Sequence, residues 1–175
     1  MHKVAALFLL LPCTLRAQAV PAAAPKDTAA IARRIIAGAR YATFVTLDDK
    51  GAPRSRMVQP KPPERDFTVW FATNPRTRKV QDITRDGRVV LHYFDPVRQG
   101  YVSIVGTAII ARDKATKDAH WDPAWSAFYK DRENGVVLVG VTPDHLEIVS
   151  DKDHVTGDNA TWRPPVWRPR TARKP

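Results

Sequence analysis

Polar and apolar residues alternate along much of this chain, and the alternation stops repeatedly at short turns rich in Pro, Gly and Asp. A period of two over a few residues predicts half-buried strands, whereas apolar residues three and four apart predict a helix. Asp27 or Thr28 suits an N-cap, and Ile31, Ile35 and Ile36 share one side of a helix predicted to run to about Ala37 and stop at Gly38. Strands are predicted over Tyr41–Leu47 and Arg54–Gln59, joined by a hairpin turn at Asp48–Gly51. The second strand puts Arg54, Arg56 and Val58 on one face, and Ser55, Met57 and Gln59 on the other. A third strand is predicted over Phe67–Ala72, then a helix over about Thr77–Thr84. Further strands are predicted over Arg88–Phe94, Tyr101–Ala111, Val136–Val141 and His145–Val149, the last two separated by a turn at Thr142–Asp144. Lys114–Ala119 and a segment from Pro123 to Lys130 are expected to be helical. Short antiparallel strands at regular spacing with a few helices inserted predict a mainly β fold, a barrel or roll.

The 175 residues suffice for one domain with its own core, and the composition is globular. Residues 1–19 resemble a secretory signal peptide: His2-Lys3 is basic, Val4–Leu11 is apolar but too short to span a bilayer, and Ala17-Gln18-Ala19 suits cleavage near Ala19/Val20. The expected location is therefore secreted or periplasmic. Loss of Lys3 and Arg16 takes the formal charge from +10 to +8, and loss of Cys13 leaves no cysteine, which excludes disulfide, thiolate and zinc-thiolate chemistry in the mature chain. The predicted organisation is a linker over 20–26, one domain over 27–150, and an irregular, basic, proline-rich tail over 151–175.

The densest candidate chemistry lies in Phe67–Lys79, FTVWFATNPRTRK. Asn74-Pro75 ends the strand, and Arg76, Thr77, Arg78 and Lys79 fall where the next helix begins. Helix N-termini expose unpaired N–H groups and the positive end of the dipole, which oppose cations and attract anions. With the hydroxyls of Thr73 and Thr77 and the fork of Arg78, this segment suits a phosphate monoester. The histidines lack metal-ligand spacing, and no P-loop, G-x-G-x-x-G or G-x-S-x-G pattern occurs.

The order of Pro53-Arg54-Ser55-Arg56-Met57-Val58, Trp70–Asn74, Thr77-Arg78-Lys79, Tyr101–Gly106 and a Trp-containing helical insert resembles the flavin mononucleotide (FMN)-binding split-barrel superfamily of pyridoxamine 5′-phosphate oxidase, and within it the general-stress-protein-26-like branch. The resemblance spans about Ala30–Val149. It implies a homodimer with two FMN molecules between the subunits. It also implies that Arg56, Met57 and Val58 run along the flavin, Ala72 and Thr73 lie beside the ribityl-phosphate, and Thr77, Arg78 and Lys79 clamp the phosphate. Tyr101 falls where the oxidases carry a glutamine near the cofactor, and Trp121 resembles an aromatic reaching the flavin from the partner chain. The oxidases' final Arg/His substrate motif has no counterpart after Val149, so vitamin B6 oxidation is not expected; an FMN-dependent oxidoreductase is.

Two other readings stay open: a non-catalytic flavin or haem binder, and a polyanion-binding barrel without cofactor. Absence of the aromatic strand signatures of RNA-binding sheets argues against nucleic acid. Trp125 and Phe128 suit core or dimer packing, and the tail cations Arg163, Arg168, Arg170, Arg173 and Lys174 suit contact with an anionic surface or plain solvation.

Overall fold

A computed structural model describes residues 27–169. The signal-peptide and linker assignments, and the last six residues of the tail, lie outside that range.

Helix α1 (Thr28–Gly38) is capped by Asp27, whose carboxylate accepts from Ala30 N at 3.0 Å, and it buries Ile31, Ala32, Ile35 and Ile36. It reaches the sheet closely at Gly38, where a Cβ would collide with the Asp95 carboxylate. Strands β1 (Ala42–Leu47) and β2 (Pro53–Val58) form the expected hairpin, with Asp48 accepting from the amides of Lys50 and Ala52, both at 2.9 Å. Strand β3 (Val69–Thr73) leads into helix α2 (Arg78–Arg85). Strands β4 (Arg88–Asp95) and β5 (Gly100–Ala111), helix α3 (Lys114–His120) and strand β6 (Val137–Ser150) follow.

All pairings are antiparallel, in the order β2-β1-β4-β5-β6-β3. The strands curl around a core in which Phe44 of β1 meets Phe71 of β3 edge-on at 5.1 Å, so opposite walls of a barrel touch. β2 and β3 each pair on one side only, which leaves a seam between them. The chain after β2 crosses to β3 there, Lys61 N donating to Trp70 O at 2.8 Å and Glu64 N to Thr68 O at 2.9 Å. The result is a split β-barrel: the alternating pattern predicts a barrel or roll, and the family resemblance implies the split form.

Four local expectations are corrected. Phe67 does not begin β3. It sits in a turn with φ +67°, its amide donating to Glu64 O, and it is 1% exposed between the Arg33 guanidinium, 4.2 Å from its ring centre, and Trp167. Burial of the ring on both faces offsets a backbone conformation that costs a bulky residue about 1–3 kcal/mol. Thr142–Asp144 is not a turn between two strands. β6 runs through it with Val105 opposite His145 and Gly106 opposite Pro143, so that Asp144 is the extra residue of a bulge. A bulge is where a strand tolerates proline, and only glycine fits at 106, because a Cβ would strike Thr142 O. The helix from Pro123 shrinks to a 3-10 turn, Pro123–Ala127, capped by Asp122. Finally, the segment past Ser150 includes a seventh strand, β7 (Val166–Trp167), which pairs with Leu146 and Glu147 of β6 and seats Trp167 against Phe67.

Candidate functional site

The seam carries two cavities. The first, about 550 Å³, is lined by Arg54, Ser55 and Arg56 of β2 and by Thr77, Arg78 and Lys79 at the start of α2. Asn74 shapes this corner: its side chain accepts from Arg76 N at 2.8 Å and its carbonyl from the Thr77 hydroxyl at 3.0 Å. Thr77 is the N-cap residue but makes no side-chain capping bond, so the first-turn amides of α2 are left uncapped beside the cations. Lys79 Nζ donates to Thr73 Oγ1 at 2.9 Å, which brings the strand end into the cluster.

The cations are held from beneath by Asp82, 2% exposed on the inner face of α2. Its carboxylate accepts from Thr46 Oγ1 at 2.7 Å and from Arg85 at 3.2 Å, and it lies 3.6 Å from Arg56 and 3.7 Å from Arg54. Arg56 also donates to Thr46 Oγ1 at 2.7 Å. Four cations thus line a cleft with one buried carboxylate behind them, and Arg78 has no carboxylate partner among the described residues. Burial lowers the Arg56 pKa despite the pull of Asp82, with Arg78 and Arg54 adding to the effect. Burial, then the charge of Arg56, lowers the Lys79 pKa. A bound anion relieves both penalties.

The second cavity, about 360 Å³, lies where Gln59 and Pro60, just past the end of β2, and Ala72 of β3 face Trp125, Phe128 and Tyr129. Tyr129 donates its hydroxyl to Ala72 O at 3.2 Å. Trp125 packs edge-on against Trp121 at 5.5 Å, and both rest on a small cluster of Trp70, Ala111 and Leu138. Phe128, expected to pack in the core or a dimer contact, is not in the core: it is 81% exposed at the cavity rim.

Of the ten candidate residues, Arg56, Thr77, Arg78 and Lys79 line the cationic cleft, Thr73 joins them through Lys79, and Ala72 lines the aromatic cavity. Val58 is buried, while Met57, on the opposite face of β2 from Arg56, is 62% exposed and accepts from Thr43 Oγ1 at 3.5 Å. Tyr101 is half-buried on β5, its ring 5.2 Å from that of His92, which bonds Ser103 and whose pKa burial lowers. Trp121 donates to Ser126 Oγ at 3.2 Å and lies under the Arg132 guanidinium at 4.5 Å. Neither Tyr101 nor Trp121 lines a seam cavity of its own chain. Sequence reasoning missed Asp82 and Thr46. The signal for Asp82 is an acid on the apolar side of a short helix, beside Val80 and Ile83, in a chain that sends two arginines along one strand face.

A split barrel with a cationic corner on its seam is the class of protein that this geometry defines. Residues 27–155 match the family model described as pyridoxamine 5′-phosphate oxidase like, and the chain belongs to that family. Among solved structures, general stress protein 26 from Bacillus anthracis shares the fold at a TM-score of 0.60 and 22% identity, covering 78% of this chain and 95% of that one. A pyridoxamine 5′-phosphate oxidase-related, FMN-binding protein from Nostoc punctiforme gives 0.57 at 14% identity, covering 85% and 98%. A haem-binding protein from Mycobacterium smegmatis gives 0.60 at 18%, covering 83% of this chain and 59% of that one. No curated protein matches.

Proposed function

We propose that the chain binds FMN in the seam and acts as an oxidoreductase on a small molecule. The observation that carries this reading is the pairing of the two cavities. The cationic cleft suits a phosphate dianion, with Arg56, Arg78, Lys79, the Thr77 hydroxyl and the uncapped amides of α2 as its donors. Gln59 lies three residues beyond Arg56, about 10 Å along an extended strand, a span comparable to a ribityl-phosphate chain. The Ala72–Trp125–Tyr129 cavity is therefore placed to take a planar aromatic ring whose phosphate sits in the cleft. Bound flavin supplies hydride or electron transfer. The chain's own part is to hold the phosphate, orient the ring between Gln59, Ala72 and Tyr129, and keep water from one face with the Trp125 side chain.

A homodimer is part of this reading. Met57, Phe94 (58% exposed) and Tyr101 share the outward face of the sheet, an apolar stripe suited to a second copy. Tyr101 and Trp121 would serve a flavin only across such an interface. Export is the remaining element, resting on residues 1–19, and it requires that FMN be loaded outside the cytoplasm.

Titration of FMN by flavin fluorescence tests the reading. Arg78→Ala is expected to weaken binding by about 2 kcal/mol, some thirtyfold, since a charge-assisted contact to phosphate is lost. Haem binding without FMN binding would replace the flavin reading with the haem one.

A further inference from the structure

Phe67 and Trp162 are both bulky aromatic residues held at positive φ, +67° and +59°. Burial of the Phe67 ring offsets its strain. Trp162 has no such return: it is 85% exposed, and its ring meets no other ring or cation among the described residues. The turn that holds it is nevertheless closely bonded. The Asp158 carboxylate accepts from Ala160 N at 3.0 Å, Thr161 N at 2.7 Å, Arg163 N at 3.1 Å and the Thr161 hydroxyl. Trp162 N donates to Asp158 O at 2.9 Å, and Asp158 N to Arg163 O at 3.1 Å. A built turn thus presents an indole to solvent in a backbone conformation that bulky residues avoid.

The residues that follow are cationic and apolar. Trp167 turns inward onto Phe67, which leaves its neighbours Val166 and Arg168 outward and exposed. Arg163 is exposed as well, and neither arginine forms an ion pair among the described residues. Asp158 spends its oxygens on the turn, and Glu147 stands opposite Val166 across the strand pair. From Asn159 to the end of the chain the sequence holds Arg163, Arg168, Arg170, Arg173 and Lys174 and no acid.

We propose that the Asp158–Arg168 segment is a docking surface for an anionic lipid bilayer. The Trp162 indole enters the membrane interface, where an apolar ring with a polar N–H finds both of its preferred surroundings, and Arg163 and Arg168 meet lipid phosphates. An anionic polymer would satisfy the arginines but leave the indole without an apolar phase, so the two features together favour a bilayer. Because β7 pairs with β6 and Trp167 packs on Phe67, this surface is fastened to the barrel. The proposal stands independently of what occupies the seam.

Co-sedimentation of the full chain with vesicles of phosphatidylglycerol and phosphatidylcholine in equal parts, and with vesicles of phosphatidylcholine alone, tests it. Binding is expected on the mixed vesicles and weakens as salt is raised. Arg163→Gln and Arg168→Gln should each lower it about fivefold. Trp162→Gly, which keeps the left-handed backbone without strain, should lower it about tenfold and remove most of the quenching of tryptophan fluorescence by brominated phosphatidylglycerol. The thermal midpoint of that variant should be no lower than that of the unaltered chain. Equal binding to the two kinds of vesicle, binding that survives all three substitutions, or a lowered midpoint for Trp162→Gly overturns the proposal. So does an affinity for dextran sulfate that matches the mixed vesicles and is indifferent to Trp162→Gly.

Discussion

One end of the seam is organised by charge and the other by packing. At the cationic end, Arg54, Arg56 and Arg85 gather around one buried carboxylate, and Thr46 ties the carboxylate to Arg56. At the aromatic end no ion pair among the described residues lines the cavity; Trp125 and Tyr129 are placed by a 3-10 turn, one hydroxyl bond to Ala72 and the Trp70 cluster. Like charges need a buried counter-charge to stand together, whereas rings need only a complementary surface. A ligand that is anionic at one end and planar at the other answers both.

The comparison is broken most severely at Asp82. Asp82→Asn leaves the arginines facing one another without their carboxylate, and it is expected to cost about 3 kcal/mol of stability in urea unfolding. An equal effect on FMN affinity and on affinity for free phosphate would then show that the acid acts through the cations. At the other end, Gly140→Ala is the matching test. A Cβ there would come within 2.5 Å of the Trp70 ring, so about 2 kcal/mol of overpacking strain is expected, with a change in tryptophan fluorescence.

The two ends are separated by ligand as well as by mutation. Trp125→Ala should weaken FMN and riboflavin alike, by about 1 kcal/mol, because the ring contact is common to both. Arg78→Ala should leave riboflavin binding unchanged. The smallest expected effect is one of pH. Phosphate favours charged Lys79, whose pKa is lowered in the folded chain, so FMN affinity is full below that pKa and falls as pH rises through it. Stability of the ligand-free protein has the opposite slope, rising with pH between the folded and unfolded lysine values, since the unfolded chain there binds more protons. Lys79→Arg should flatten both profiles.

Most of the barrel was legible because strand alternation and turn chemistry agree along the chain. The Asp48–Gly51 hairpin and the Asn74 corner lie where they are predicted. What escaped depends on contacts distant in sequence. Phe67 has the residue type and position of a strand start, but Arg33 and Trp167 hold it in a left-handed turn instead. Pro143 looks like a turn residue until Gly106, on the neighbouring strand, gives it room for a bulge. The cationic cleft was readable because all six of its lining residues lie in two short motifs, Arg54–Arg56 and Thr77–Lys79, that carry candidate chemistry in the sequence itself. Asp82 was not, because its role appears only when α2 is laid on β1.

Trp167, on the last strand among the described residues, packs against a ring that sits near the start of β3, and the Arg33 guanidinium of α1 lies over the same ring. Phe67 is thus a rivet through which both ends of the barrel sequence are fastened to its middle. A nascent chain carries that rivet half-set through most of its synthesis, with one aromatic face and an exposed strand edge open to other chains.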